Sequence, residues 1–174
     1  MRMSTIVPIT RTDGPMRILR SGMARADRGD HRKVKKMAVE KKEAISIIVY
    51  DNHFDKLMMP MIVAQGALAM GWEVNIFYTF FGLQGLKRKF KPKLPGMFRL
   101  ATGMIQKRMA KQKVMSYQEF MKANIAMGAN IYACNMSMKM MGWKLEDMFE
   151  GVKPAGVAKY VDMSADASIN LAFG

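Results

Sequence analysis

Short apolar blocks alternate with longer stretches in which apolar residues recur every three to four positions, beginning near residue 44. The first block, Ala44 to Tyr50, is continuous and β-branched, which is typical of a strand buried on both faces of a parallel sheet. A helix is predicted from about Phe54 to Met70, because Gly71 then supplies a left-handed stop, and the next strand is predicted at Trp72 to Phe80. This order predicts a right-handed parallel crossover.

The alternation resumes after a long interruption. Ser116 is predicted to cap a helix to about Met127, with Glu119 completing a capping box. The later predicted elements are a strand at Asn130 to Ala133, a turn and helix from Cys134 to Met141 stopped by Gly142, a short helix at Leu145 to Phe149, a strand at Val157 to Val161, and a last helix capped by Ser164 with Asp166 in its first turn. The pattern indicates an α/β class: a flavodoxin-like, doubly wound, mainly parallel sheet of about five strands with helices on both faces.

The formal net charge of +14 is concentrated in two segments. Residues 1–42 lack periodicity and carry 12 Lys/Arg against 4 Asp/Glu, so we expect a disordered basic leader. Met37 offers a second start, which leaves a gene-start artefact as the alternative explanation. A basic insertion at about 84–114 holds ten Lys/Arg and no acidic residue between positions 87 and 113. The remaining pattern predicts one α/β domain over residues 43–174.

Cysteine and hydropathy usage exclude several protein classes. A single cysteine cannot form a disulfide within one chain, so we expect a reducing, cytoplasmic location. The longest apolar run, Leu57 to Met70, falls short of the roughly 18 residues of a spanning helix and is interrupted by Pro60. One cysteine and two histidines give no metal set, and no glycine-rich phosphate loop follows the first strand, so no cofactor is expected.

Three segments are predicted to reach the carboxyl edge of the sheet, where ligands bind in such folds. They contain Asn52 and His53, then Thr79, then the run Cys134, Asn135, Met136 and Ser137. Cys134 falls between a strand and a helix, where unpaired N–H groups lower a thiol pKa and stabilise an anion, so it is a candidate nucleophile. The alternative is a small buried apolar residue. His53 is either a group that orients a substrate or a helix cap.

The basic insertion has several open interpretations. It is a solvated loop, a screen for an anionic substrate, a docking surface for an acidic carrier protein, or a site of peripheral contact with an anionic membrane. Apolar residues lie between its charges, which favours a partner-docking surface or lid over an extended tail; they include Phe90, Met97, Phe98, Leu100 and Met104. Nucleic acid is the least favoured partner.

Several motifs together resemble a known family, the DsrE/DsrF-like proteins of the DsrE-type sulfur-transfer subgroup. The matching segments, in order, are Asp55 to Met58, Ala67 to Gly71, Phe77 to Leu83, Ala133 to Met138 with Met141 and Gly142, Gly151 and Val152, and Gly156 to Tyr160. The resemblance covers about residues 43–174. The Cys-x-Met-Ser-Met block at Cys134 and the Phe-x-Thr-Phe-x-Gly-Leu block at Phe77 are its most specific parts.

The resemblance implies a homo-oligomer in which Cys134 carries sulfane sulfur as a persulfide or thiosulfonate. It also implies exchange with TusA-like or rhodanese-like sulfur carriers and with small anionic sulfur compounds. Lys139 stands where an acidic residue is expected and adds positive charge that favours anionic donors. No second cysteine exists, so an internal disulfide relay is excluded. Whether the chain is a carrier or an enzyme stays open, and the rival is a binding module for a nucleotide or protein with an inert Cys134.

Overall fold

The computed structural model describes residues 43–174, so the leader predicted over residues 1–42 lies outside the described residues. Five strands form one sheet: β1 (Ala44–Val49), β2 (Glu73–Tyr78), β3 (Asn130–Cys134), β4 (Val152–Ala155) and β5 (Ile169–Phe173). Their order is β4-β3-β2-β1-β5, and every neighbouring pair is parallel. The predicted α/β class and the parallel sheet of about five strands are confirmed.

Five α-helices connect or flank these strands: α1 (Phe54–Ala69), α2 (Thr102–Lys111), α3 (Tyr117–Ala126), α4 (Asn135–Met141) and α5 (Val157–Asp166). Short 3₁₀ helices cover Phe80–Leu86, Gly96–Arg99 and Leu145–Asp147. The predicted capping box forms, because the Ser116 hydroxyl accepts the Glu119 N–H while the Glu119 carboxylate accepts the Ser116 N–H. Gly142 ends α4 with a φ of +64°, the left-handed conformation that glycine adopts without strain.

The sheet is covered on both faces. Alternate side chains of β1 point to opposite faces, so Ile45 and Ile47 pack against α1 while Ser46 lies on the side of α5. The larger core contains Leu57 and Met61 of α1 and lies on the α1 and α3 face. These two-sided contacts explain the continuous apolar pattern of β1 and confirm the doubly wound arrangement.

The second face is covered by α5. The rings of Phe77 on β2 and Tyr160 on α5 lie 5.4 Å apart, and the Ser46 and Ser164 hydroxyl oxygens are 3.0 Å apart. Both contacts place α5 across the strands opposite α1. The helix α5 therefore covers this face of the sheet.

Two predictions near the C-terminus are wrong. The segment predicted as a strand at Val157 to Val161 is the first half of α5, and Ser164, predicted as a helix cap, lies inside α5 near its end. The final element is the strand β5, and β4 was missed. Pro154 obscured β4, but an edge strand tolerates proline because one side of it has no ladder to complete.

The basic insertion folds back onto the domain. The Phe54 N–H at the start of α1 donates to the Lys93 carbonyl oxygen at 3.0 Å, and the Gln118 amide donates to the Phe90 carbonyl oxygen at 2.7 Å. The Leu94 N–H donates to the Thr102 hydroxyl at 2.9 Å. Hydrogen bonds to backbone groups of the insertion thus hold it against α1 and α3. Within residues 43–174, no helix is long and apolar enough to cross a membrane.

Candidate functional site

Cys134 is the last residue of β3 and directly precedes α4. Its side chain lies on the α5 face of the sheet, in a small apolar cluster with Phe77 and Ala155 against which Tyr160 packs. The residue is 0% exposed. The sulfur therefore sits at the carboxyl edge of the sheet, at a helix start, beneath a cover of protein atoms.

Two hydroxyl groups lie beside the thiol. The Ser137 and Thr79 hydroxyl oxygens are 3.0 Å apart, and Ser137 Oγ also accepts the Phe80 N–H at 3.0 Å. Both hydroxyl-bearing residues are buried. Phe80 has a φ of +45°, which is strained for a residue with a side chain. The hydrogen bond from the Phe80 N–H to Ser137 joins the loop after β2 to the start of α4.

Opposing influences set the thiol pKa. Burial is the largest and raises the pKa of Cys134, because the thiolate loses solvation. Hydrogen bonds from the Ser137 hydroxyl and N–H, the Thr79 hydroxyl and the Met136 N–H act in the other direction and together outweigh burial. The pKa of Cys134 is consequently lowered below its usual 9.0. The arrangement favours an anionic sulfur, as a nucleophilic thiolate requires.

The predicted site residues divide into three groups. Thr79, Met136 and Ser137 interact with Cys134. Asn52 and His53 instead line a separate cavity with residues of the basic insertion. Asn135 and Lys139 line a shallow pocket on the outer side of α4, together with Lys144. The structure thus brings three of the seven predicted binding residues to the sulfur.

Exposed apolar side chains occur on both segments that meet at the Ser137 hydroxyl. Phe80 and Phe81 follow β2 and are 46% and 56% exposed, while Met136 and Met140 of α4 are 61% and 59% exposed. Met136 is two residues from Cys134. The Phe80 N–H donates to the hydroxyl of Ser137, the residue that follows Met136. We refer to these four residues as the apolar rim.

A protein-family model described as the DsrE/DsrF/DrsH-like family matches residues 41–95 and 87–172. The chain belongs to this family. The match spans β1 to β4 and all but the last residue of β5, and it includes both segments that surround the sulfur. The resemblance seen in the sequence motifs is thereby confirmed.

Relatives in this family include two curated proteins. The chain is 26% identical over 156 residues to the uncharacterized protein YrkE of Bacillus subtilis (strain 168), covering 76% of this chain and 98% of that protein. It is 26% identical over 152 residues to the sulfur carrier protein DsrE2 of Allochromatium vinosum, covering 73% of this chain and 96% of that protein. Both relatives are matched over nearly their whole length.

Solved structures resemble the fold at low sequence identity. The ychN protein from E. coli superposes with a TM-score of 0.53 at 13% identity, covering 75% of this chain and 99% of that one. MTH1491 of Methanobacterium thermoautotrophicum, a protein of unknown function, gives 0.50 at 12% identity with the same coverage. These likenesses concern the fold alone.

Three neighbours of the thiol escaped the sequence analysis of this DsrE/DsrF/DrsH-like protein. Phe77 and Ala155 pack beside Cys134, and Tyr160 packs against their cluster. Phe77 was detectable, because the period of two along β2 places Phe77 and Thr79 on one face. Ala155 and Tyr160 were not, because the strand and helix that carry them were assigned wrongly.

Proposed function

We propose that this chain is a sulfur carrier in which Cys134 holds sulfane sulfur as a persulfide and passes it to a partner thiol. The observation that carries the proposal is the position of Cys134 between the end of β3 and the start of α4, beside the Ser137 and Thr79 hydroxyls. Hydrogen bonds from these hydroxyls and from backbone N–H groups lower the pKa of the thiol. The same donors suit the terminal anion of a persulfide. Membership of a family that includes a protein named sulfur carrier supports it.

The transfer needs no external oxidant. The Cys134 thiolate attacks the outer sulfur of a donor persulfide, a bond forms between the two sulfurs, and the donor leaves as its thiolate. A partner thiolate then attacks the outer sulfur and releases the Cys134 thiolate unchanged. With thiosulfate as the donor, sulfite is the leaving group. Sulfur is transferred in both half-reactions, and the net oxidation state is conserved.

The proposed partners are TusA-like or rhodanese-like carriers, because each presents a thiol or persulfide for exchange. The apolar rim of Phe80, Phe81, Met136 and Met140 offers them a contact surface beside the sulfur. We further propose that the chain works as a homo-oligomer. Since Cys134 is 0% exposed, transfer requires the start of α4 or the loop at Phe80 to move and open a path to the sulfur.

Intact mass spectrometry tests the carrier function. The protein is reduced, incubated with polysulfide or thiosulfate, and weighed before and after treatment with a thiol. We expect added mass equal to whole sulfur atoms, removed by the thiol and absent from the Cys134→Ser variant. Ser164→Ala is the matched control, because it removes a hydroxyl under α5, away from the sulfur. Wild-type protein that stays unmodified under conditions where free cysteine reacts would overturn the proposal.

The complete burial of Cys134 favours a second candidate, a binding module in which the thiol is inert. This candidate predicts that alkylating reagents leave Cys134 unmodified in the folded protein and react only after unfolding. It also predicts that a nucleotide or protein partner binds equally well to wild type and to Cys134→Ser. Rapid alkylation of the folded wild type excludes it.

A further inference from the structure

A cavity of about 360 Å³ opens between the loop after β1 and the basic insertion, apart from the Cys134 contacts. Its polar lining consists of Asn52, His53, Gln84, Lys91, Lys93 and Arg99. No acidic side chain lines it within the described part of the chain. Two lysines and one arginine thus line one concave space without a carboxylate among them.

These charges have no protein counter-ion in the domain. Within residues 43–174, Lys91, Lys93 and Arg99 form no ion pair. Asp51, the carboxylate next to Asn52 in sequence, is engaged by the backbone N–H of His53 at 2.7 Å and by its ring Nδ1 at 2.5 Å. Three like charges around one cavity repel each other, and an anion bound between them would relieve that repulsion.

Backbone hydrogen bonds hold the walls of the cavity in place. The Lys93 carbonyl oxygen accepts the Phe54 N–H at the start of α1, which fixes the backbone of Lys93 next to the β1 loop. Leu94 is held by the Thr102 hydroxyl, and Thr102 is itself buried. The charged side chains therefore extend from an anchored backbone, which reduces the entropy lost when they close on a ligand.

The amide groups of the opposite wall also suit an anion. Asn52 Nδ2 donates to Gln84 Oε1 at 2.9 Å. This bond aligns both side-chain amides and leaves the amide NH₂ of Gln84 available as a donor. Asp51 occupies His53 Nδ1, so the other ring nitrogen, Nε2, is the one that a ligand can reach. Hydrogen-bond donors and positive charges thus line one space.

The position in the fold agrees with a ligand site. The cavity lies beyond the carboxyl end of β1, and β1 is the strand at which the order of the sheet reverses, with β2 on one side and β5 on the other. Open α/β sheets bind ligands at such a reversal.

We infer that this cavity binds a small molecule carrying tetrahedral oxyanion groups, held by Lys91, Lys93 and Arg99. Phosphate and sulfur oxyanions share this chemistry, since each presents several negative oxygens to lysine and arginine donors. The volume of about 360 Å³ admits a single oxyanion group and leaves room for a second such group or for an organic remainder. The inference stands apart from the sulfur chemistry proposed for Cys134, because none of these residues touches the thiol.

Titration of the full-length protein tests the site. Pyrophosphate and thiosulfate are added separately in dilute and in physiological salt, and affinity is followed by calorimetry and by the NMR signals of the Asn52 and Gln84 side-chain amides. We expect saturable binding that shifts these two amide signals. Tighter binding of pyrophosphate assigns the site to phosphate compounds, and tighter binding of thiosulfate assigns it to sulfur oxyanions.

Variants that remove equal charge at two places distinguish binding in the cavity from nonspecific attraction of an anion to a basic surface. Lys93→Gln with Arg99→Gln removes two charges from the cavity and should weaken binding by roughly tenfold or more. Lys107→Gln with Lys111→Gln removes two charges from exposed positions on α2 and should leave affinity within about twofold. Equal loss in both variants, or no saturable binding by the wild type, overturns the inference. Cys134→Ser should bind as the wild type does, so failure of the carrier proposal leaves this result intact.

Discussion

The hydroxyl oxygens of Thr79 and Ser137 lie 3.0 Å apart, although 58 residues separate them in sequence. Thr79 follows β2 and Ser137 lies in α4, so this contact joins two neighbouring carboxyl ends of the sheet. Both groups also interact with Cys134 and lower its pKa. The reactivity of the thiol therefore depends on a long-range contact that fold formation creates.

Ser137→Ala should raise the pKa of Cys134, because it removes one hydrogen bond to the sulfur and frees Thr79 and Phe80 of their shared partner. The reaction with iodoacetamide should slow severalfold near neutral pH, where only the thiolate reacts. The pH profile of the rate gives the pKa directly. Ser164→Ala should leave the profile unchanged, and an unshifted profile in Ser137→Ala would contradict the assigned role.

The stability of the protein should depend on alkaline pH through Cys134. The unfolded thiol ionises near 9.0 and the folded thiol ionises at a lower pH, so between these values the unfolded state binds more protons. The contribution is present above the unfolded pKa and is lost as pH falls through the folded pKa. Relative to Cys134→Ala, wild type should thus gain free energy of unfolding as the pH rises through the folded pKa of Cys134 toward the unfolded value of 9.0. Urea unfolding under reducing conditions measures the difference, and parallel pH curves would refute it.

Gly82→Ala should destabilise the fold and disturb the site. A Cβ at Gly82 would lie 2.5 Å from the Val49 carbonyl oxygen, so the Phe80–Leu86 segment must shift away from β1. That segment also supplies the Phe80 N–H to Ser137. We expect a loss of about 2 kcal/mol or more in the free energy of unfolding, measured by urea unfolding.

A second glycine provides the control for this change. Gly66 lies exposed inside α1, and nothing comes within 4 Å of a Cβ placed there. Gly66→Ala should therefore stabilise the protein by about 0.5 to 1 kcal/mol, since alanine favours a helix. Destabilisation of both variants by the same amount would show that the Val49 contact is not the cause.

Tyr117→Phe should cost about 1 to 3 kcal/mol of stability. The buried Tyr117 hydroxyl donates to the Gly85 carbonyl oxygen at 3.0 Å and lies 3.4 Å from the Tyr78 hydroxyl. Its removal leaves the Gly85 carbonyl oxygen and the Tyr78 hydroxyl, both buried, without this partner. Burial already raises the pKa of Tyr78. Thermal unfolding measures the cost. Tyr50→Phe, at a position 46% exposed, should be close to neutral, and a comparable loss there would contradict the interpretation.

The fold class was predictable from sequence where local signals agree with the tertiary arrangement. The β-branched run of β1, the capping box at Ser116 and the stop at Gly142 each specify one local structure. The C-terminal part failed because Val157 to Val161 is β-branched at both ends yet packs as a helix through Tyr160 and Met163. The period of two in Ile169–Phe173 was present and would have identified β5.

The candidate site was predictable only in part. The position of Cys134 between β3 and α4 followed from sequence. The separation of His53 from the sulfur did not, because sheet topology places several loops at one edge without fixing which loops touch. Burial of the thiol under α5 depends on packing between segments distant in sequence, which local patterns do not encode.

Pro154 sits in β4, the outermost strand on one side of the sheet, beside the charged and exposed Lys153. Proline has no N–H to offer an incoming strand, and a lysine there would have to be desolvated. A four-residue edge strand with these residues is a poor template for pairing with another strand. The β4 edge of the sheet is therefore protected against intermolecular strand pairing and amyloid-like aggregation.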